Sequence, residues 1–177
     1  MLRQVRSAVW FDATARPIVH HLKYEGLARS GRDMARVIAC RCPAPASGVL
    51  VPVPLSTRRM RQRGFNQAAM VARALATTWD RPVSEDLLGR VRDTGTQTAL
   101  SPVERARNMA AAFTARGPLP SPGASRELPI ATVILVDDVL TTGATLVACA
   151  TALGEVGWTA VHAVTFARAV PYELRVA

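Results

Sequence analysis

Apolar residues fall along this chain in short continuous runs that alternate with helical stripes. GVLVPVP at 48–54 is an apolar run that Pro52 and Pro54 end or bend. IATVILV at 130–136 shows no polar alternation, as expected of a strand covered on both faces. AVHAVTFAR supplies a third run, so the pattern predicts strands over 49–53, 131–136 and 160–166. Between them, HHLKYEGLARSGRDMARVIACRC reads as two helical pieces separated near Arg29–Gly31, with Met34, Val37 and Ile38 at core spacing. FNQAAMVARALATTW reads as a helix capped by Asn66, with Met70, Val71, Ala74 and Leu75 on its packed side. SPVERARNMAAAF opens with Ser101 as N-cap, Pro102 at the first helical position and Glu104 completing a capping box. GATLVACATALGEVG is the last helix, closed by Gly157.

Strand and helix thus alternate, which predicts an α/β fold with a mostly parallel central sheet flanked by helices. The Pro-, Gly- and Ser-rich stretch 117–129 reads as an exposed loop and is too short to divide the chain. Residues 1–177 are therefore expected to form one domain. A hydrophobic fraction of 49% with 20% charged residues suits a globular core and excludes disorder. No apolar run approaches the roughly 20 residues that cross a bilayer, and MLRQVRSAVWFD has no apolar signal region, so the expected location is cytoplasmic. Cys40, Cys42 and Cys149 lack a second Cys or His pair at zinc spacing and are expected to be reduced thiols, with no protein metal site.

Charge narrows the partners. The net charge is +9, Lys23 is the only lysine, and arginines group at Arg58, Arg59, Arg61 and Arg63 and again at Arg90, Arg92, Arg105 and Arg107. That excess points to an anionic partner, either a phosphorylated small molecule or a nucleic acid. Few aromatics interleave with the arginines, so a stacking platform for single-stranded DNA is poorly supported.

VILVDDVLTTGATLV, from Val133 to Val147, carries the chemistry. In open α/β sheets ligands gather at the carboxyl ends of strands, where Asp137 and Asp138 are expected to stand. Thr141, Thr142, Gly143, Ala144 and Thr145 then lead into a helix, whose first backbone N–H groups suit a phosphate. Gly143 brings no Cβ between backbone and phosphate, and the threonine hydroxyls add donors. Ionised carboxylates only accept hydrogen bonds, and a ribose diol offers two donors. A sugar with a 5′-phosphate satisfies both halves. The Walker A spacing with its lysine is missing, as is a G-x-G-x-x-G turn.

VILVDDVLTTGAT resembles the phosphoribosyl pyrophosphate (PRPP) motif of type I phosphoribosyltransferases. HHLKYEG, VPVPLSTRRMRQRGFNQA and RVRDTGTQTALSPVERARNMAAAF are similar to segments of the ComF family within that group, which is associated with competence for DNA uptake. The resemblance covers most of the chain in the family's order. It implies a type I phosphoribosyltransferase fold with a small hood, and Asp137 and Asp138 as the catalytic pair on the ribose hydroxyls. It further implies the 5′-phosphate at 141–145 and a pyrophosphate loop with Leu55, Ser56, Arg58 and Arg59. A flexible closing loop would contain Arg90, Arg92 and Gln97. PRPP or ribose 5-phosphate is the implied ligand, with Mg²⁺ bridging substrate oxygens rather than sitting in a protein cage. The implied reaction is phosphoribosyl transfer to a nitrogen acceptor with release of pyrophosphate; the alternative is a non-catalytic PRPP-binding protein of the DNA-uptake machinery. The resemblance also allows a homodimer. Such proteins often carry an N-terminal four-cysteine zinc module; this chain begins after where it would lie, so a module-less relative or a truncated start is expected. The hood would come from around Trp10, Phe11 and Tyr24 and from residues after Phe166, and the acceptor stays unassigned.

Overall fold

A computed structural model describes residues 2–24, 28–91, 112–117 and 132–169, with Tyr24 and Ala28 described by their backbone alone. Six strands and five helices lie within these residues: β1 (Leu2–Trp10), α1 (Ala15–Tyr24), α2 (Ala28–Arg41), β2 (Val49–Pro52), α3 (Thr57–Arg63), α4 (Gln67–Trp79), β3 (Leu88–Arg90), β4 (Phe113–Ala115), β5 (Thr132–Leu140), α5 (Ala144–Glu155) and β6 (Ala160–Arg168). The main sheet has the order β1-β6-β5-β2, and every pairing in it is parallel. β3 and β4 form a separate antiparallel pair. This is the α/β architecture of type I phosphoribosyltransferases, a mainly parallel sheet flanked by helices.

Two apolar layers account for the sheet. On one side Ile134 and Val136 of β5 pack with Leu22, Met34, Ile38, Val71 and Leu75 from α1, α2 and α4. On the other, Val133 and Leu135 pack with Leu146, Cys149 and Leu153 of α5 and with Leu88 and Phe113 of the antiparallel pair. Successive β5 side chains alternate between layers, so a strand covered twice reads as an uninterrupted apolar run. Each fully buried aliphatic side chain on it contributes about 1.5–3 kcal/mol.

Several expectations change. β5 does not stop at Val136: its pairing with β6 continues through Asp137 opposite Thr165 to Leu140 opposite Arg168. Apolar periodicity ends where function replaces core residues, while backbone pairing runs on. β1 is a further strand that the run-based reading omits; it lies at a sheet edge, where its outward positions are polar. Arg29–Gly31, expected to separate two helical pieces, lie within α2, which runs from Ala28 to Arg41. Gly31 lies inside α2, where an added Cβ would come 3.2 Å from Cβ of Met70 on α4. The glycine therefore serves close helix packing and does not interrupt the helix. Of SPVERARNMAAAF, residues 101–111 lie outside the described residues, and Phe113 opens β4 instead of ending a helix. The stretch expected to loop from 117 is described only at Gly117.

Gly31→Leu is expected to push α2 off α4 and lower stability by about 1–3 kcal/mol, the usual cost of overpacking. The urea midpoint measures it, and an unchanged midpoint would contradict the close approach.

Candidate active site

The cavity that gathers the predicted residues opens at the carboxyl ends of β2 and β5. Its volume is about 390 Å³, and Asp137, Asp138, Thr141, Thr145, Leu55, Arg59 and Arg90 line it. Phe11, Lys23, Val53, Pro54, Arg63, Gln67 and Val139 complete the wall. A second cavity of similar volume lies at the other end of the sheet, against Gln4, Arg6, Thr132 and His162. No carboxylate lines it, so the chemistry belongs to the first.

The floor begins with the carboxylates. Because strand side chains alternate, the neighbouring aspartates diverge. Asp138 continues the Ile134–Val136 row toward α1 and is 5% exposed. Its Oδ1 accepts the Val139 N–H at 2.9 Å. Its Oδ2 has no aligned hydrogen bond and is held by charge instead, with Lys23 Nζ 2.7 Å away. Asp137 lies toward α5, and its Oδ1 accepts the Asp138 N–H at 2.8 Å. Part of Asp137 touches solvent, yet its carboxyl group is packed round with protein. Burial raises its pKa well above the ordinary carboxylate range and the Asp138 carboxylate adds to this, against opposition from the donated N–H and Lys23. Burial also pushes the Cys149 thiol up, with the Asp137 carboxylate adding to this and Arg90 opposing it. The pair is thus not freely solvent-facing: one member is buried in an ion pair and the other is desolvated.

The second wall is the turn into α5. Gly143 sits at the N-cap with φ +81° and ψ −5°, a left-handed conformation that favours glycine. A Cβ there would meet Leu140 at an ordinary 3.6 Å, so backbone conformation rather than space requires the glycine. Gly143 provides no side-chain cap, and Thr142 Oγ1 accepts the Ala144 N–H only at 3.4 Å. Among the described residues nothing accepts the N–H groups of Thr145 or Leu146. Thr141, Thr142 and Ala144 are exposed around them. The turn therefore presents backbone donors at the positive end of a twelve-residue helix.

The third wall follows β2. Asn66 caps α4 by accepting the Ala68 N–H at 3.0 Å, as the sequence predicts, and its Nδ2 donates to Val53 O at 3.0 Å. That second bond ties the start of α4 to the end of β2 and fixes the span of the intervening loop. Ser56 is buried as the N-cap of α3, where Oγ accepts the Arg59 N–H at 3.3 Å; its hydroxyl shapes the loop and does not line the cavity. Leu55 and Arg59 line the cavity, while Arg58 is exposed outside it. Arg90, expected in a flexible loop, instead ends β3, with its guanidinium carbon 5.2 Å from the Phe113 ring centroid. Arg92 and Gln97 lie outside the described residues.

Of the hood aromatics, Phe11 lines the cavity; Trp10 is 47% exposed and carries Arg168 over its ring at 5.7 Å. The side chain of Tyr24 and residues from 170 onward lie outside the described residues. Sequence reasoning passed over Lys23, Gln67 and, as a site residue, Arg63. The available signal was compositional: Lys23 is the lone lysine in an arginine-rich chain. Among the described residues no group of three or more His, Cys, Asp or Glu could hold a metal ion, and no helix is long and apolar enough to cross a membrane.

The phosphoribosyl transferase domain family matches residues 62–175. Competence protein F of Haemophilus influenzae is 36% identical over 115 residues, 65% of this chain and 46% of that protein. DNA utilization protein YhgH of Salmonella typhi is 35% identical over 140 residues, and that of Escherichia coli (strain K12) 31% over 137; both alignments cover 73% of this chain and 56% of the relative. The chain spans about half the length of the curated relatives it matches.

The raised Asp137 pKa sets a pH dependence. The folded state binds this proton more tightly than the unfolded chain, so the stabilisation is complete below about pH 4 and is lost as pH rises through the raised folded value. Asp137→Asn should therefore melt higher than the parent at pH 7–8, with the difference fading toward pH 4. Melting curves across that range check it; a difference that grows toward acid would reverse the assigned sign.

Proposed function

This chain belongs to the phosphoribosyl transferase domain family, in its ComF-type branch, and we propose that it binds PRPP and transfers its phosphoribosyl group to a nitrogen acceptor with release of pyrophosphate. The observation that carries this reading is the convergence in one cavity of the Asp137–Asp138 pair, the Thr141–Thr145 turn and three arginines. Each of these suits a different part of PRPP.

Asp137 and Asp138 would accept hydrogen bonds from the ribose 2′- and 3′-hydroxyls, reaching the diol from two sides because their side chains diverge. The unpaired N–H groups of Thr145 and Leu146 would receive the 5′-phosphate with the threonine hydroxyls. Arg59, Arg63 and Arg90 would meet the pyrophosphate, whose oxygens match guanidinium forks. In the displacement the bond from acceptor nitrogen to C1 forms as the C1–O bond breaks, and its electron pair leaves with pyrophosphate. The sugar passes through an oxocarbenium-like state, as in glycosyl chemistry. The chain's own part is to orient both reactants and stabilise the departing charge. Hard oxygen donors at 137 and 138 beside a polyphosphate suit Mg²⁺. The ion would be carried by substrate oxygens and water, with the carboxylates acting through the ribose hydroxyls, and would supply neutralisation of the leaving group.

The names of the relatives, competence and DNA utilization, support a link of this activity to DNA uptake. A PRPP-binding role without turnover is separated from catalysis by pyrophosphate release in the presence of PRPP, Mg²⁺ and a panel of bases.

Calorimetric titration with PRPP and Mg²⁺ tests the reading. Asp137→Asn combined with Asp138→Asn should lose the charge-assisted bonds to the diol, each worth about 1.5–3 kcal/mol, and with them roughly a hundredfold or more in affinity. Removing the Asp138 charge also frees Lys23, at a cost of about 1–2 kcal/mol that the gain at Asp137→Asn offsets in part at neutral pH; a fully buried pair costs more, and Lys23 keeps solvent contact. Gly143→Val forces a branched residue into φ +81° and should weaken ribose 5-phosphate and PRPP alike. A folded double Asn variant that binds PRPP like the parent would sink the diol assignment.

A further inference from the structure

Ser56, Gln67, Asp138 and Thr165 are the buried polar side chains among the described residues. Three have structural partners: Ser56 caps α3, Asp138 pairs with Lys23, and Thr165 meets Ser7 Oγ at 2.7 Å and Ala167 O at 3.1 Å. Gln67 is different. It is 4% exposed, it lines the cavity, and its Oε1 has no hydrogen-bond partner. Leaving a buried amide oxygen without a donor costs free energy that an apolar residue of similar size would avoid. Capping does not explain it either, since the neighbouring Asn66 already caps α4 and ties it to Val53.

Position limits what can donate to Oε1. Gln67 opens α4, which packs on the Ile134–Val136 face of the sheet, the side on which Asp138 meets Lys23. Asp137, the next position along β5, and Arg90, beside the Phe113 ring, lie on the other side, toward the α5 layer. Pyrophosphate oxygens at neutral pH only accept hydrogen bonds, so pyrophosphate would leave Oε1 as it is. The ribose hydroxyls already have two carboxylates to donate to. The remaining reactant is the nitrogen acceptor, which carries N–H groups.

We propose that Gln67 recognises the acceptor, with Oε1 accepting an N–H adjacent to the reacting nitrogen and Nε2 donating to an acceptor atom on the same edge. The acceptor class is then a neutral heterocycle with an amide or amidine edge, the kind of edge that a glutamine side chain reads in bidentate fashion. The ring of Phe11, in the same wall, offers such a heterocycle an apolar surface. An anionic aromatic acid fits less well: its carboxylate has nothing to donate to Oε1. This assignment rests on the phosphoribosyl-transfer reading and adds to it the substrate class.

The test titrates adenine, hypoxanthine and uracil, with anthranilate as the carboxylate control, onto the full chain saturated with ribose 5-phosphate and Mg²⁺. Parent, Gln67→Met and Gln67→Glu are compared, each checked by a melting curve. At least one neutral heterocycle should bind the parent better than anthranilate does. Gln67→Met, which fills the space without an acceptor, should weaken that binding about tenfold or more, the equivalent of one lost hydrogen bond. Gln67→Glu keeps an accepting oxygen but loses the Nε2 donor and adds a negative charge, so it should recover only part of the loss. Affinities for ribose 5-phosphate and for pyrophosphate should stay within about twofold in Gln67→Met, well inside the tenfold step expected for one interaction; the added carboxylate of Gln67→Glu should weaken the anionic ligands. The assignment is overturned if no neutral heterocycle binds a parent that does bind PRPP. It is equally overturned if Gln67→Met weakens ribose 5-phosphate or pyrophosphate as much as the base. A parent that binds neither PRPP nor ribose 5-phosphate overturns the transferase reading instead, and this assignment with it.

Discussion

Parallel pairing of β5 between β6 and β2 sets the position of every group in the cavity. Val136 is bonded in register to Val164 on one side and Pro52 on the other, so the ends of all three strands advance together. From that shared edge β2 delivers Leu55 and Arg59, β5 delivers the two aspartates, and the turn into α5 delivers its backbone donors. Shifting β5 by one residue would exchange its two faces. Ile134 and Val136 would then leave the α1–α2–α4 layer, and Asp138 would leave Lys23. The apolar register that makes the core is therefore the same register that aims the carboxylates. Core packing and ligand binding are one constraint here.

The two aspartates show how one local rule gives neighbours different tasks. Alternation turns Asp138 into the helical layer, where Lys23 compensates its burial, and turns Asp137 toward the α5 layer, where burial outweighs the Asp138 N–H and Lys23 that oppose it. A raised pKa at Asp137 means that the fold stores an electrostatic cost at its own site. Such costs persist where a ligand relieves them. The diol hydroxyls and the cationic environment of a bound metal polyphosphate are the kinds of group that would do so.

Much of this was legible in the sequence, and what was not has physical reasons. The buried strands showed as apolar runs because both faces are covered, and Asn66 showed as a cap because its bond to the Ala68 N–H is local. β5 seemed to end at Val136 because periodicity reports burial, whereas pairing with β6 extends to Leu140 without it. Gly31 looked like a break because a glycine in a helix is read as weakness; its cause is the 3.2 Å approach of Met70, thirty-nine residues away in the chain (70 − 31). Lys23 and Gln67 stayed out of view for a related reason. Each sits on a helix whose pattern is otherwise core and surface, and only the tertiary meeting of α1, α4 and β5 makes a site of them.

The lone lysine also makes chemical sense at this place. A chain with one lysine among its basic residues sets that lysine, and not an arginine, against Asp138. An arginine fork would take both carboxylate oxygens in bidentate fashion and fix the group. Lys23 is a point charge that takes Oδ2 alone, while Oδ1 is satisfied by the Val139 N–H. An ammonium on a flexible stem can give way when a hydroxyl approaches Oδ2, and its charge still offsets the buried carboxylate from a slightly greater distance. The arginines follow the opposite logic: Arg59, Arg63 and Arg90 line the wall where the proposed leaving group of high charge would need many fixed donors at once. Basic residue type thus divides the cavity into a compliant side at Asp138 and a rigid anion side. The proposed reaction, which admits a sugar diol and stabilises a departing pyrophosphate, would use both.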